Sequence, residues 1–170
     1  VAGAVEYFPE LGGLVFVDSI AGVWLFNYQS KQWSQLAQSI SIGNYNTFAT
    51  YHSTQKMLIF GGGNGSTSVY KINQSGKVTK VANSPIELGI DRGIVLDNPR
   101  TGNYLAFGNN GTIYEYVVGQ NQWRTLGSHN IMSYTASGSP WRVAAPIYSH
   151  GVYMFVTFNF NNSAVILYKY

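Results

Sequence analysis

The hydrophobic residues of this chain fall in short runs divided by turns rich in Gly, Asn and Ser. Four runs are almost unbroken: Leu14-Val15-Phe16-Val17, Met57-Leu58-Ile59-Phe60, Tyr104-Leu105-Ala106-Phe107 and Val152-Tyr153-Met154-Phe155-Val156. A strand with one wet face alternates apolar and polar residues, so these runs predict strands buried on both faces. A candidate strand precedes each run, through Val5–Tyr7, Phe48–Tyr51, Gly93–Leu96 and Ala144–Tyr148. Another follows each across a turn, at Val23–Phe26, Ser68–Ile72, Ile113–Val117 and Val165–Tyr170.

Spacing adds a fourth strand and a repeat. Trp33 and Trp123 share a turn-then-strand context 90 residues apart, Gln32-Trp33-Ser34-Gln35-Leu36 and Gln122-Trp123-Arg124-Thr125-Leu126, with Val78 midway. Leu36, Val81 and Leu126 keep the same spacing of 45. Four short strands per repeat, with doubly buried inner strands, predict an all-β chain of β-propeller blades, each blade of four antiparallel strands packed between its neighbours. The blades are expected at about 4–42, 43–88, 89–138 and 139–170, three complete and the last lacking its outer strand. That would leave Val165–Tyr170 as an apolar edge and the outward faces of the first and last blades uncovered. The remaining blades of a longer chain, or else another subunit, are expected to cover them.

Composition sharpens the fold class and narrows the partners. Of 170 residues, 45% are hydrophobic and 15% aromatic but only 10% charged, and the 19 Gly and 13 Tyr suit strands and tight turns better than helices. The net charge of +3 comes from ten Lys and Arg scattered without a dense run, which argues against a nucleic-acid partner. No apolar run approaches the roughly 18 residues that span a bilayer. Cysteine is absent, which removes disulfides, thiol catalysis and thiolate metal sites. Val1–Phe8 has neither the basic start nor the apolar core of a signal peptide, so processing or a longer chain is expected to account for the beginning of the sequence.

Phe60-Gly61-Gly62-Gly63, then Tyr70, then an apolar residue at Val78 resembles the kelch blade signature of a diglycine closing the second strand, a Tyr in the third and a Trp in the fourth. Phe107-Gly108, Tyr114 and Trp123 resemble it again. Arg92 and Arg142 stand before first strands, where kelch repeats often carry an Arg, and Asn46 takes that place in the second copy. The chain departs from the pattern at Val17-Asp18 and Val156-Thr157, which replace the diglycine, and at Val78, which replaces Trp. The resemblance is to kelch-like propellers of the galactose oxidase superfamily. It implies the architecture and not an activity. The superfamily's copper-radical oxidases use a Tyr cross-linked to Cys, which this Cys-free segment cannot form.

Candidate chemistry is sparse. His52, His129 and His150 fall in or beside predicted loops without a second ligand at a metal spacing, so they read as exposed loop histidines and no metal or cofactor is expected. The acids are Glu6, Glu10, Asp18, Glu87, Asp91, Asp97 and Glu115, and glycoside hydrolysis would need two of them facing each other. No Gly-x-Ser-x-Gly elbow occurs, and Gly61-Gly62-Gly63-Asn64-Gly65-Ser66 lacks the Lys and helix of a phosphate loop. Asn46, Asp91, Arg92 and Arg142 should ring one mouth of the central channel, to bind a ligand or to tie blades together. Trp141, outside the Trp register, joins them as a binding candidate or as packing. The sequons Asn64-Gly65-Ser66, Asn73-Gln74-Ser75, Asn110-Gly111-Thr112 and Asn161-Asn162-Ser163 all fall in predicted turns.

These features lead to the expectation of a non-catalytic extracellular or cell-surface module that presents propeller loops to a protein or glycan. The competing expectations are a segment of a propeller oxidase or glycan-active hydrolase whose catalytic residues lie elsewhere, and a structural subunit of a filament or extracellular matrix.

Overall fold

The computed structural model describes residues 3–89, 92–131, 141–159 and 162–170, excepting the side chains of 141, 142, 158, 159 and 162. Its strands are β1 (Ala4–Phe8), β2 (Gly13–Asp18), β3 (Gly22–Asn27) and β4 (Gln32–Ala37), then β5 (Thr47–His52), β6 (Met57–Gly62), β7 (Val69–Ile72) and β8 (Val78–Lys80). There follow β9 (Gly93–Asn98), β10 (Asn103–Gly108), β11 (Thr112–Val117) and β12 (Gln122–Ser128), and finally β13 (Trp141–Ile147), β14 (Val152–Asn159) and β15 (Asn162–Lys169). Each group forms one antiparallel sheet in chain order, three sheets of four strands and one of three. These are the propeller-like blades that the repeat predicts.

Short polar side chains close the turns. The Asp18 carboxylate accepts the N–H groups of Ile20 and Ala21, each at 2.8 Å, between β2 and β3. Asn27 Oδ1 accepts those of Gln29 and Ser30 between β3 and β4, and Asn73 Oδ1 those of Ser75 and Lys77 between β7 and β8. Such side chains stand in for a missing backbone partner, which is why Asn and Asp recur where the chain reverses. At the end of β6, Gly61 and Gly62 have φ of 141° and 63°, and a Cβ would overlap the Ser68 and Leu88 carbonyl oxygens respectively. The diglycine is thus a steric requirement of the strand end.

Each interface between blades joins two chemically different faces. The face of the first blade that follows the chain offers Val15, Val17, Val23 and Leu25 to Leu58, Phe60, Tyr70 and Ile72 of the second. Ile59, Val69, Val81 and Leu88 meet Tyr104, Tyr114, Tyr116 and Trp123 across the next interface. Leu96, Leu105, Phe107, Ile113 and Ile131 meet Tyr153, Phe155, Tyr168 and Tyr170 across the last. The trailing faces are therefore mostly aliphatic, whereas the leading face is mixed on the second blade and mostly aromatic on the third and fourth. Two leading-face tyrosines also satisfy carbonyls of the preceding blade: the hydroxyl of Tyr104 donates to Met57 O at 2.8 Å, and that of Tyr153 to Asp97 O at 2.7 Å.

This packing qualifies several sequence expectations. All six residues of β6 are buried, but β2 alternates between buried and half-buried because only one of its faces has a neighbour. The ladder pairs Gly62 with Thr47 and Gly108 with Gly93, so Gly62 matches Gly108, and Phe60 matches Ala106 rather than Phe107. Trp33 and Trp123 do hold equivalent places opposite Phe26 and Tyr116. Yet Trp123 packs between blades with its indole N–H on Ala82 O, whereas Trp33 is 55% exposed on the open leading face of the first blade. His52 is not a loop histidine: it ends β5, fully buried against Tyr104, with Nε2 3.2 Å from Asn98 O. His129 is half-buried, its Nε2 3.0 Å from Gly108 O, and only His150 is exposed.

The ring of Phe107 is fully buried, with centroids of Phe155, Tyr168 and Tyr153 at 4.9, 5.2 and 5.8 Å. Phe107→Ala should lower unfolding free energy by about 3–5 kcal/mol, read from urea denaturation. A midpoint unchanged from wild type would contradict this account of the third interface.

Candidate functional site

The innermost strands β1, β5, β9 and β13 stand side by side around one channel. Their beginnings share a cavity of about 310 Å³, lined among others by Ala4, Val5, Thr47, Gly93 and Ala144. Their ends share a second, of about 260 Å³, lined among others by Glu6, Tyr51, Asp97, Pro146 and Tyr148. The four strands therefore run in one direction along the channel. Whatever precedes them collects at one rim, and whatever follows them collects at the other.

The first rim carries the residues singled out in the sequence. Asn46 immediately precedes β5 and Arg92 immediately precedes β9, in equivalent places. Asn46 has φ 62°, and its Nδ2 donates to Asn64 Oδ1 at 3.0 Å. Arg92 Nε lies 3.5 Å from Glu87 Oε2 in a half-exposed pair within the β8–β9 connection. The backbone of Trp141 and Arg142 opens β13, with Arg142 opposite Thr157. Thr157 matches Gly62 and Gly108 in the ladders, so Trp141, not Arg142, is the counterpart of Asn46 and Arg92. Arg142 lies one residue inside the strand, a correction that the missing diglycine concealed. Asp91 falls outside the described residues.

The second rim is lined by residues outside that candidate set. Glu6 and Asp97 interrupt the otherwise uncharged strands β1 and β9, and that interruption is the signal the sequence carried. The Tyr148 hydroxyl is 3.0 Å from each oxygen of the buried Asp97 carboxylate, to which it donates. The Tyr51 hydroxyl donates to the Glu10 carboxylate, at 2.9 Å from Oε2. Burial pushes the Asp97 carboxyl above the usual range, opposed by the Tyr148 hydrogen bond and the charge of His52. Burial likewise pushes Glu6 up to about 7, with the Tyr51 backbone N–H opposing and the Asp97 charge adding to the rise. His52 is held below its ordinary value, chiefly by burial. A carboxyl poised near neutrality can give or take a proton, and a hydroxyl-bearing ligand in this cavity would meet both kinds of partner. Among the described residues no group of three or more His, Cys, Asp or Glu converges as a metal site.

The Glu6 shift has a pH signature. Between the unfolded value of 4.5 and about 7, the unfolded chain has released this proton while the folded chain keeps it. The contribution of Glu6 to stability therefore falls as pH rises through that window and levels off above it. Glu6→Gln should match wild type near pH 4 and exceed its stability at pH 8 by on the order of 1 kcal/mol, after allowing for solvent in the channel. Urea melts at the two pH values measure the difference, and an equal offset at both would refute the shift.

No family model matches the sequence, and no curated protein does. Among solved structures, a structural-genomics protein of unknown function from Bacteroides thetaiotaomicron aligns with a TM-score of 0.55 and 17% identity, over 91% of this chain and 43% of that one. A structure described as that of YjhT aligns with a TM-score of 0.57 and 11% identity, over 98% of this chain and 64% of that one. This chain thus spans 43% and 64% of the lengths of the two structures, and the likeness at these identities is one of fold. Fold and comparisons agree that this is an all-β chain of propeller-like blades.

Proposed function

We propose that the chain is a kelch-like propeller module of an extracellular or cell-surface protein, binding a protein or glycan at the rim where its innermost strands begin. One observation carries this reading. Asn46, Arg92 and the start of β13 come from three separate blades to places just before the strand residues, Thr47, Gly93 and Val143 among them, that line an open cavity. Loops held this way on a rigid ladder can present polar groups to a partner without ordering themselves on binding. The Arg92 guanidinium and the Asn46 amide, half-exposed or nearly so, are the groups best suited to hydroxyls and carboxylates there.

The sequons support the extracellular part of the reading. Asn64, Asn73 and Asn110 are exposed on turns, and the Ser75 hydroxyl donates to Asn73 Oδ1 at 2.8 Å within its own sequon. Asn161 lies outside the described residues. A second reading, a glycan-active enzyme completed by residues elsewhere, is favoured by Glu6 at the other rim. Turnover of a bound glycan, abolished by Glu6→Gln, would select it.

A printed glycan array and a panel of secreted proteins, probed with wild type and with Arg92→Ala and Arg142→Ala, test the rim. At least a tenfold loss of binding is expected in variants that keep the wild-type melting curve, and undiminished binding would overturn the assignment. Expression through a eukaryotic secretory route should add glycan mass at Asn64, Asn73 and Asn110, each removed by its Gln variant. An unmodified mass would count against the extracellular reading.

A further inference from the structure

Asn-Gly places a side-chain amide next to a peptide nitrogen that no Cβ shields, and it occurs twice in this sequence, at Asn64-Gly65 and Asn110-Gly111. Both asparagines are exposed on turns, but their surroundings differ. Gly111 is fixed on both sides, its N–H donating to Gly108 O at 3.0 Å and its carbonyl accepting the His129 N–H at 2.8 Å. The Asn110 side chain is fixed as well: Nδ2 donates to the Tyr114 hydroxyl at 3.0 Å, and Oδ1 accepts the Thr112 N–H at 3.1 Å. Gly65 is the third residue of a turn closed by the Ser66 N–H on Gly63 O, with φ 71°. Beyond its chain neighbours no heavy atom lies within 4 Å of the place its Cβ would take. Among the described residues neither its N–H nor its carbonyl makes a hydrogen bond. The residues before it are held, because the Gly63 N–H donates to Leu88 O at 2.7 Å and the Asn64 N–H to Tyr45 O at 3.0 Å. The Asn64 side chain makes one bond among the described residues, Oδ1 accepting from Asn46 Nδ2 at 3.0 Å.

We propose that Asn64 is a site of spontaneous deamidation and that the fold selects it over Asn110. The Gly65 nitrogen attacks Asn64 Cγ, the bond from Cγ to the side-chain nitrogen breaks, and that nitrogen leaves as ammonia, with the proton given up by Gly65 passing to it through solvent. Water then adds to either carbonyl of the five-membered imide, which opens to an aspartate or an isoaspartate at position 64. Nothing is oxidised or reduced. The attack needs a peptide nitrogen free of other bonds and a peptide plane free to turn toward Cγ. Gly65 meets both requirements, whereas the Gly111 N–H is engaged and the Asn110 amide is held by two bonds of its own. The bond from Asn46 need not break, because Oδ1 is the atom on which negative charge gathers as the nitrogen adds, and a donor there favours the addition. The product places a carboxylate beside Asn46, and its isoaspartate form adds a methylene to the backbone of a turn tied to Tyr45, just before β5, and to Leu88, before β9. Deamidation also destroys the sequon, and a glycan on Nδ2 takes away the ammonia leaving group, so the two fates of this side chain exclude each other. The inference goes beyond the rim reading and does not rest on it.

Tryptic peptide mapping by mass spectrometry tests the proposal on the 170-residue chain, made without glycans in a bacterial cytoplasm and held folded for weeks at mildly alkaline pH. Fragmentation places each site, and enzymatic methylation of isoaspartate confirms the product. Asn64 should lose its amide at least tenfold faster than Asn110, a barrier difference of about 1.4 kcal/mol or more. In urea strong enough to unfold the chain the two rates should converge, because the dipeptide is the same and the bonds that set the two sites apart are gone. Asn64→Gln, at an exposed position and with a side chain that would close a larger ring, should abolish the modification there and leave the Asn110 rate unchanged. Equal rates in the folded chain, a faster Asn110, an Asn64 that keeps its amide, a tenfold preference that persists in urea, or modification that survives Asn64→Gln would each overturn it. Ligand binding is no part of this readout, so a rim that binds nothing would leave the result standing.

Discussion

A sheet of three or four short strands with apolar side chains on both sides cannot stand alone in water, since one face always remains exposed. This chain meets that constraint by repetition, setting the apolar trailing face of one blade against the apolar, often aromatic, leading face of the next. Val15 and Val17 share a cluster with Phe60, Ile59 with Tyr104, and Leu105 with Tyr153, so β2, β6, β10 and β14 carry alternate members of successive interfaces. The aromatic side adds a polar contact where it ends in a hydroxyl, because Tyr104 and Tyr153 donate to buried carbonyls of the preceding blade. Leu58, at the same place in the second blade, makes the apolar contact without that bond.

The channel depends on the same stacking. With each innermost strand fixed at the inner edge of its blade, strand starts and strand ends are sorted to opposite rims with no further instruction from the sequence. One rim gathers the residues before the strands, including Asn46 and Arg92. The other gathers Glu6, Asp97, Tyr51 and Tyr148, where carboxyls are held in surroundings that disfavour their charge. Such carboxyls oppose folding at neutral pH, and a channel that keeps them has sites of unusual proton affinity at its wall.

Much of the fold was legible because the repeat is written in local signals. Continuous apolar runs marked the doubly buried strands, Gly and Asn marked the reversals, and the 45-residue spacing of Trp33, Val78 and Trp123 marked the fourth strands. Register was harder. By letter Phe107-Gly108 matches Phe60-Gly61, while the ladder aligns Gly108 with Gly62, and Arg142 lies one residue beyond the position of Arg92. A one-residue slip costs nothing in composition but turns every side chain to the opposite face. His52 reads locally as a loop histidine for a related reason: its strand runs further than its apolar core, and its ring packs against Tyr104 of the next blade.

By itself the sequence determined that the chain is all-β, where its strands and reversals lie, and that its repeats must pack on one another, because these follow from local propensity and apolar periodicity. Only the tertiary structure decided which side chains share a face, that Glu6 and Asp97 line one cavity, and that Trp33 and Trp123 have opposite environments despite equivalent positions. Those outcomes depend on neighbours some 45 or more residues away. The environment of a strand position is set by the blade beside it, and no local pattern records whether that blade is there.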